Sequence, residues 1–205
     1  NVSDDEGSAI SVFNFFEGYS LYVKDCRFTN NIALSSATIS FLDDGFSIIE
    51  NSEFIHNQGF SGGCIRLFES STKASNCIFI NSFASEAGGA IIIHTGAAVP
   101  NPAKISITNS SFYSNNNPLG TGIIHNIGAG MELSITNCIF FKNNHNSGGQ
   151  IISDAPNGFV FENNLVDVPD CAAIGNNVTC GPGMIYNADP LFLDTAAHNF
   201  HLHPC

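Results

Sequence analysis

The chain has 205 residues, of which 43% are hydrophobic and 12% are charged, a composition typical of an ordered protein with a well-buried core. Its formal net charge of -12 at pH 7 would repel phosphate backbones and anionic headgroups, so nucleic acid is not an expected partner. No stretch reaches the roughly 18 consecutive apolar residues of a membrane-spanning helix, so membrane insertion is not expected either.

A short cassette that ends in an apolar anchor recurs along most of the chain. In chain order its copies are Asp25-Cys-Arg-Phe28, Asn51-Ser-Glu-Phe54, Asn76-Cys-Ile-Phe79, Asn109-Ser-Ser-Phe112, Asn137-Cys-Ile-Phe140 and a degenerate Glu162-Asn-Asn-Leu165. Successive anchors are 26, 25, 33, 28 and 25 residues apart. This period predicts a solenoid with one coil per repeat.

An Asn follows the Phe anchor by three residues in four of these copies, and Ser82 replaces it in the third. An Asn at a bend tolerates left-handed backbone angles, and its amide can bond to the equivalent Asn of the coils above and below. We therefore expect structural ladders formed by Phe28, Phe54, Phe79, Phe112 and Phe140 and by Asn31, Asn57, Asn115 and Asn143.

A glycine-rich cassette alternates with the first one. Its copies are Gly7-Ser-Ala-Ile10, Gly62-Gly-Cys-Ile65, Gly88-Gly-Ala-Ile91, Thr121-Gly-Ile-Ile124, Gly148-Gly-Gln-Ile151 and a closing Gly181-Pro-Gly-Met-Ile185. Because the same face of a strand points inward on every coil, the isoleucines of this cassette predict a stacked interior column that continues to Ile185.

Two further interior columns are predicted by counting back from each anchor. The fifth residue before the anchor is Val23, Ile49, Ala74, Ile107, Ile135 or Val160, and the second is Cys26, Ser52, Cys77, Ser110, Cys138 or Asn163. Successive residues of a strand point to opposite faces, and these two positions are three residues apart, so they can both point inward only if the chain bends between them. The Asn or Asp three residues before most of the anchors is suited to such a bend.

These patterns predict an all-β fold, a right-handed parallel β-helix of about six to seven coils. Residues 1–166 are assigned to the repeats and residues 167–205 to a C-terminal coil and cap of the same domain. The segment 95–102, with Gly96, Pro100 and Pro102, is the clearest insertion, and the side from which it projects is a candidate binding side.

Seven cysteines divide into two groups. Cys26, Cys77 and Cys138 are predicted on alternate coils about 10 Å apart, beyond disulfide reach, so they are expected to be reduced core thiols like Cys64. Cys171, Cys180 and Cys205 lie near the end of the chain. We favour a disulfide between Cys171 and Cys180, although the connectivity stays open.

No catalytic, metal or cofactor site is predicted. The alternation His201-Leu-His203, with His198 nearby, is typical of the outward face of a strand, and the other histidines are expected at the surface or in bends. Calcium ligation by Asp43, Asp44 or Asp154 is left open, because no loop has a specific ligand spacing. The six basic residues are scattered, and acids adjoin only at Asp4-Asp5-Glu6 and Asp43-Asp44, unlike the sites of polysaccharide lyases and hydrolases.

Three sequons begin at Asn1, Asn109 and Asn177, the candidates for glycosylation. Asn177 is the preferred acceptor, because Asn109 occupies a ladder position where its amide is expected to be engaged. The sequons, the seven cysteines and a chain that starts at Asn1 rather than Met favour a processed, secreted protein.

The two cassettes resemble the F-x-x-N and G-G-A-I repeats of the chlamydial polymorphic outer membrane proteins over residues 7 to 165. That resemblance implies a β-helical passenger domain and a non-enzymatic adhesive role at a cell surface, although the membrane barrel of that family is missing here. The segment Asn187-Ala-Asp-Pro-Leu-Phe-Leu-Asp194 resembles the closing segment of secreted bacterial right-handed β-helix proteins, which implies fold and secretion but no activity.

The expected function is therefore that of a non-catalytic extracellular adhesin or structural element. It is expected to self-associate end to end through the sheet edges at the ends of the helix, or to bind a surface glycan or protein. The alternative is a polysaccharide-binding or polysaccharide-degrading β-helix, for which an aromatic cluster at Phe13, Phe15, Phe16 and Tyr19 is the candidate platform.

Overall fold

The chain forms a parallel β-solenoid, which confirms the predicted fold class. The computed structural model describes residues 1–4, 7–13, 20–42, 45–95, 103–128, 131–144, 149–153, 159–197 and 199–202. Four parallel sheets, named A to D in the order in which the chain meets them, form the sides of the solenoid, and one antiparallel hairpin follows them. Each passage through the sheets in this order makes one turn, because successive strands of a sheet come from successive repeats.

The strands of each sheet pair in order along the chain. Sheet A comprises β1 (Val2–Ser3), β5 (Ile32–Ala33), β9 (Gln58–Ser61) and β13 (Phe83–Ala87). Sheet B comprises β2 (Ile10–Phe13), β6 (Ile39–Leu42), β10 (Ile65–Phe68), β14 (Ile91–His94), β17 (Ile124–Ile127) and β20 (Ile151–Ser153).

Sheets C and D contain seven strands each. Sheet C comprises β3 (Ser20–Lys24), β7 (Phe46–Glu50), β11 (Ser71–Ser75), β15 (Ala103–Thr108), β18 (Met131–Thr136), β21 (Phe159–Glu162) and β23 (Val178–Cys180). Sheet D comprises β4 (Arg27–Thr29), β8 (Glu53–Ile55), β12 (Ile78–Ile80), β16 (Ser111–Tyr113), β19 (Ile139–Phe141), β22 (Leu165–Val166) and β24 (Ile185–Tyr186).

The solenoid has about five regular turns, slightly fewer than the six to seven predicted from the spacing of the anchors. The later turns are incomplete in the described residues. Sheet A continues beyond β13 only as isolated bridges from Phe83 to Asn116 and from Asn116 to Asn144. The last turn contributes only the short strands β23 and β24.

The register confirms two of the predicted columns through five turns. Phe28, Phe54 and Phe79 pair in succession in sheet D, and Ile49 pairs with Val23 and Ala74 in sheet C. The bend between sheets C and D lies where the parity argument placed it. The corner residues there have φ between 49° and 55°, in the left-handed region that Asn and Asp tolerate: Asp25, Asn51, Asn76, Asn109 and Asn137. Asn163, which was predicted in the small interior column, is instead a sixth corner residue, with φ 55°.

The sixth repeat is shifted by one residue from the predicted register. Ile135 pairs with Phe161 instead of Val160, and Val160 is 48% exposed whereas Phe161 is fully buried. A shift of one residue exchanges the two faces of a strand, and here it places the larger side chain in the core. The anchor of this repeat is accordingly Val166 rather than Leu165, since Val166 pairs with Phe140.

The predicted isoleucine column ends earlier than expected. It runs from Ile10 to Ile151 in sheet B, but Ile185 pairs with Leu165 in sheet D and is 53% exposed. Ile174 does not continue this column. Its carbonyl accepts a hydrogen bond from the N–H of Ile151, as the carbonyl of Gln150 does from Ile124, so its fully buried side chain is equivalent to Gln150, the residue before the column isoleucine. The segment before Ile185 therefore closes sheet D rather than sheet B.

The C-terminal segment does more than continue the solenoid. Strands β25 (Phe192–Asp194) and β26 (Asn199–Leu202) form an antiparallel hairpin that packs on the outward face of sheet D. Phe200 forms a second, separate hydrophobic cluster with the fully buried Ile55 and Ile80. The sequence predicted a coil and cap here, and the hairpin along the side of the solenoid was not predicted.

Candidate binding surfaces

The phenylalanine column is a continuous stack inside sheet D. Ring centroids of neighbours from Phe28 to Phe140 are 4.6 to 4.9 Å apart, with interplanar angles of 2° to 11°. Phe54, Phe79 and Phe112 are fully buried, whereas Phe28 is half-buried because β4 is the outermost described strand of its sheet. The five rings therefore serve as core and not as an accessible aromatic platform.

The F-x-x-N asparagines lie next to this stack, inside the corner between sheets D and A. The Nδ2 atom of Asn31 donates to Oδ1 of Asn57 at 2.9 Å, and the Nδ2 atom of Asn115 donates to Oδ1 of Asn143 at 3.1 Å. Each of the four is at least nine-tenths buried. The left-handed angle of this corner belongs to the preceding residue, with φ between 49° and 55°, at Asn30, His56, Asn81, Ser114 and Lys142.

The ladder also holds the backbone of the corner. Asn57, Asn115 and Asn143 each donate from Nδ2, at 2.9 Å, to the carbonyl of a Phe anchor. Ser82 interrupts the ladder, and its hydroxyl accepts instead from the Sγ of Cys64 at 2.9 Å. The Cys64 thiol thus occupies the space that an Asn amide would need at position 82, which explains why this F-x-x-N position holds Ser.

The cysteines fall into the two groups that the sequence predicted, with one correction. A disulfide joins Cys171 to Cys180, with their Cα atoms 6.1 Å apart, as favoured. Burial raises the pKa of the Cys64 and Cys138 thiols from 9.0 to about 12 and that of Cys77 to about 11, as expected of core thiols.

Cys26 was expected in the core but is a free and exposed thiol. It lies between β3 and β4, the outermost described strands of their sheets, so the stacking that buries Cys77 and Cys138 is present on one side only. Cys205 lies outside the described residues.

The amides of the sequon asparagines differ in their hydrogen bonds. The Nδ2 atom of Asn177, the favoured acceptor, donates to the carbonyl of Ser153 at 2.7 Å. The outer ladder in which Asn109 was expected joins Asp25, Asn51 and Asn76, and the side chain of Asn109 makes no hydrogen bond among the described residues. Asn1, Asn109 and Asn177 are all exposed, so the preference for Asn177 stays a prediction.

No polar cluster suited to a metal is found in the described part of the chain, where no three His, Cys, Asp or Glu side chains converge. His201 is exposed, but His125, expected at the surface, is buried and lies in register with the buried Ile92 of sheet B. The remaining members of the predicted groups lie outside the described residues: His145, His198, His203, Asp43, Asp44, Asp154, Phe15, Phe16 and Tyr19.

The number of residues that connect one sheet to the next is constant for one pair of sheets and variable for another. Two residues join sheet C to sheet D in each connection from β3–β4 to β21–β22. The connection from sheet B to sheet C instead ranges from two residues (69–70) to eight (95–102). Variable insertions in repeat proteins commonly lie on the binding side. In the segment 95–102, the insertion that marks the candidate binding side, only Thr95 belongs to the described residues.

The outward face of sheet A carries an apolar strip. Val2, Leu34 and Phe60 are 69%, 57% and 43% exposed. Val2, Ile32, Gln58 and Phe83 follow one another in register across the sheet. A shallow groove of about 150 Å³ crosses this strip, and its described lining contains no charged residue. The chain as a whole carries a net charge of -12, so an uncharged lining distinguishes this groove from a charged binding site.

A second groove, of about 370 Å³, lies between the C-terminal hairpin and sheet D. Glu53 and Ile78 line it from the sheet, and Asn199, Phe200 and His201 line it from β26. The carboxylate of Glu53 also pairs with the guanidinium of Arg27 at 3.0 Å. Its lining therefore combines hydrogen-bonding groups with an apolar floor.

Comparison of the chain with known proteins found no relative. No protein-family model, no curated protein and no solved structure matches the chain. Among the described residues, no helix has the length and apolar character needed to cross a bilayer.

Proposed function

We propose that the protein is a non-catalytic extracellular β-solenoid that acts as a surface adhesin or structural element. The observation that carries the proposal is the uncharged apolar strip of sheet A, held on a scaffold of stacked phenylalanines and asparagines. Exposed apolar patches on soluble proteins commonly mark interaction sites. The disulfide between Cys171 and Cys180 supports an oxidising compartment outside the cytosol.

Adhesion through the strip can be tested with protein-coated beads on films of extracellular-matrix protein, neutral polysaccharide and acidic polysaccharide. Wild-type beads are expected to be retained on at least one film, and the double variant Leu34→Asp, Phe60→Asp is expected to lose most of this retention. Leu119→Asp, at a residue 66% exposed outside sheet A, is the matched control. Retention no greater than that of albumin-coated beads would contradict the proposal.

Self-association is proposed to use the N-terminal end of the solenoid. Within the described residues, strands β1 to β4 each pair on one side only, and Ile10, Leu21 and Phe28 are partly buried there. Open strand edges template further pairing. Negative-stain electron microscopy at several concentrations is expected to reveal dimers or filaments, whereas isolated particles at every concentration would remove this part of the proposal.

Polysaccharide binding or degradation is the second candidate function, and the hairpin groove favours it. Glu53, Asn199 and His201, which line this groove, can hydrogen-bond to sugar hydroxyls. Degradation is tested on the same polysaccharide films by following new reducing ends and the ultraviolet absorbance of unsaturated lyase products. Turnover of either kind would replace the adhesin proposal by an enzymatic one.

A further inference from the structure

The groove between the hairpin and sheet D is built by two parts of the chain that are far apart in sequence. Phe200 anchors β26 against Ile55 and Ile80, and its ring packs edge-on against Tyr113 with centroids 5.1 Å apart. This anchoring fixes Asn199 and His201 beside it. The groove therefore exists only while the hairpin is docked, and its shape is set by well-packed residues.

The lining presents complementary hydrogen-bonding groups at the rim. Glu53 supplies carboxylate acceptors, and His201 supplies an imidazole that can donate and accept. The Oδ1 atom of Asn199 accepts from the N–H of His201 at 3.2 Å, while the Nδ2 donors of Asn199 have no partner among the described residues. Donors and acceptors around an apolar floor are the usual composition of a small-molecule site, and about 370 Å³ lies near the lower end of the usual size range.

Charge narrows the class of ligand. The groove contains the carboxylate of Glu53, and the chain as a whole carries a net charge of -12, so a sugar acid or a phosphate would be repelled. Arg27 pairs with Glu53 and offsets its charge locally. A neutral ligand with several hydroxyl groups at its edge and an apolar face matches this arrangement best.

We infer that this groove binds a neutral saccharide unit, with its hydroxyls bonded to Glu53, Asn199 and His201 and its apolar face on Ile78 and the edge of Phe200. The inference rests on the proposed function as an extracellular surface protein and gives it a ligand class. It uses a site separate from the apolar strip of sheet A, so the two can succeed or fail independently.

The test is titration of the whole chain with neutral, amine-bearing and uronic-acid oligosaccharides, followed by calorimetry and by NMR shifts of the groove residues. Neutral saccharides are expected to bind saturably. Glu53→Gln and His201→Ala are each expected to weaken binding at least fivefold. The matched control is Glu132→Gln, which removes a comparably exposed ion pair with Lys104 in sheet C and should change the affinity less than twofold.

Other outcomes decide against the inference. No saturable binding of any neutral saccharide, equal weakening by Glu53→Gln and Glu132→Gln, or preferred binding of amine-bearing or uronic-acid oligosaccharides would each overturn it. Far-ultraviolet circular dichroism of every variant checks the fold, and His201→Ala gives a second reading because His201 is exposed and its loss leaves the core intact. Bead adhesion that survives Glu53→Gln while saccharide binding is lost would separate the groove from the proposed adhesive strip.

Discussion

Two parts of the chain are stabilised in different ways. The ladder region comprises the described residues between 31 and 143, and the C-terminal region comprises the described residues between 159 and 202. In the ladder region Phe54, Phe79 and Phe112 each stack on a phenylalanine above and below, and most ladder asparagines have an equivalent in a neighbouring coil. The C-terminal region has a disulfide and a hairpin docked by Phe200. Inside the solenoid each side chain packs on the equivalent side chains of the adjacent coils, whereas the end of a solenoid needs contacts of a different kind.

The largest difference between the two regions is expected from removing one aromatic ring from each. Phe79→Ala leaves a cavity in the middle of the stack and should lower the free energy of unfolding by about 3–5 kcal/mol. Phe192→Ala acts on a ring of the hairpin that is only partly buried and should cost at most about 2 kcal/mol. Chemical denaturation measures both, and equal losses would contradict the comparison.

Breaking the inner ladder should cost nearly as much. Asn115 bonds through its amide to the Phe79 carbonyl, to Asn143 and to the N–H of Ser82, so Asn115→Ala strands buried polar groups and should cost about 2–4 kcal/mol. Asn76→Gly, in the exposed outer ladder, is the control: it removes the amide while glycine tolerates the φ of 54° at this corner, so it should cost about 0.5 kcal/mol or less. A loss at Asn115 as small as that at Asn76 would exclude a stabilising role for the inner ladder.

Reducing the disulfide should act on the C-terminal region alone. The Cys171–Cys180 link has a sequence separation of 9, and the loop-closure model gives about 2–3 kcal/mol for a loop of this size. The double variant Cys171→Ala, Cys180→Ala should therefore lower the protease resistance of residues 159–202 and leave that of the ladder region unchanged. Equal loss of resistance in both regions would contradict the separation between them.

The buried thiols predict how stability depends on pH. Burial raises the pKa of Cys64 in the folded protein to about 12, above its ordinary value of 9.0. Between pH 9 and 12 the unfolded chain therefore binds fewer protons than the folded one, so stability falls as pH rises, by up to about 1.4 kcal/mol per pH unit for each such thiol. Denaturation at pH 7, 9 and 10.5 measures the slope, which should be shallower in Cys64→Ala.

The smallest expected effect concerns the interruption of the ladder. Ser82→Asn alone should be destabilising because the Sγ of Cys64 occupies the space next to the Ser82 hydroxyl. Combined with Cys64→Ala it should cost less than the sum of the two single changes, with a coupling of about 0.5–1.5 kcal/mol. A double-mutant cycle measures this coupling, and strictly additive effects would show that the two positions are independent.

The repeats could be predicted because each interior position is sampled several times along the chain. The phenylalanine and isoleucine columns, the corner at Asn51 and Asn76 and the reduced state of Cys77 follow from spacing and strand parity alone. The exposure of Cys26 could not be read from its column, because burial there depends on a neighbour above as well as below.

The C-terminal region and the grooves could not be predicted in the same way. The one-residue register shift that buries Phe161 instead of Val160 depends on packing between two sheets. It occurs in no other described repeat. The hairpin groove joins Glu53 to Asn199 and His201, residues about 150 positions apart with no shared motif. The one available signal was the pair of aromatic residues at Phe192 and Phe200 after the last repeat.

Native-state hydrogen exchange of the whole chain, read by mass spectrometry of peptic fragments, tests most directly whether the ladder region and the C-terminal region are stabilised separately. Fragments from β7 to β18 are expected to exchange only through the slowest opening, fragments from residues 159–202 faster, and reduction of the Cys171–Cys180 disulfide should speed exchange in the second set alone. Uniform protection along the chain, or equal loss of protection in both regions on reduction, would contradict the account.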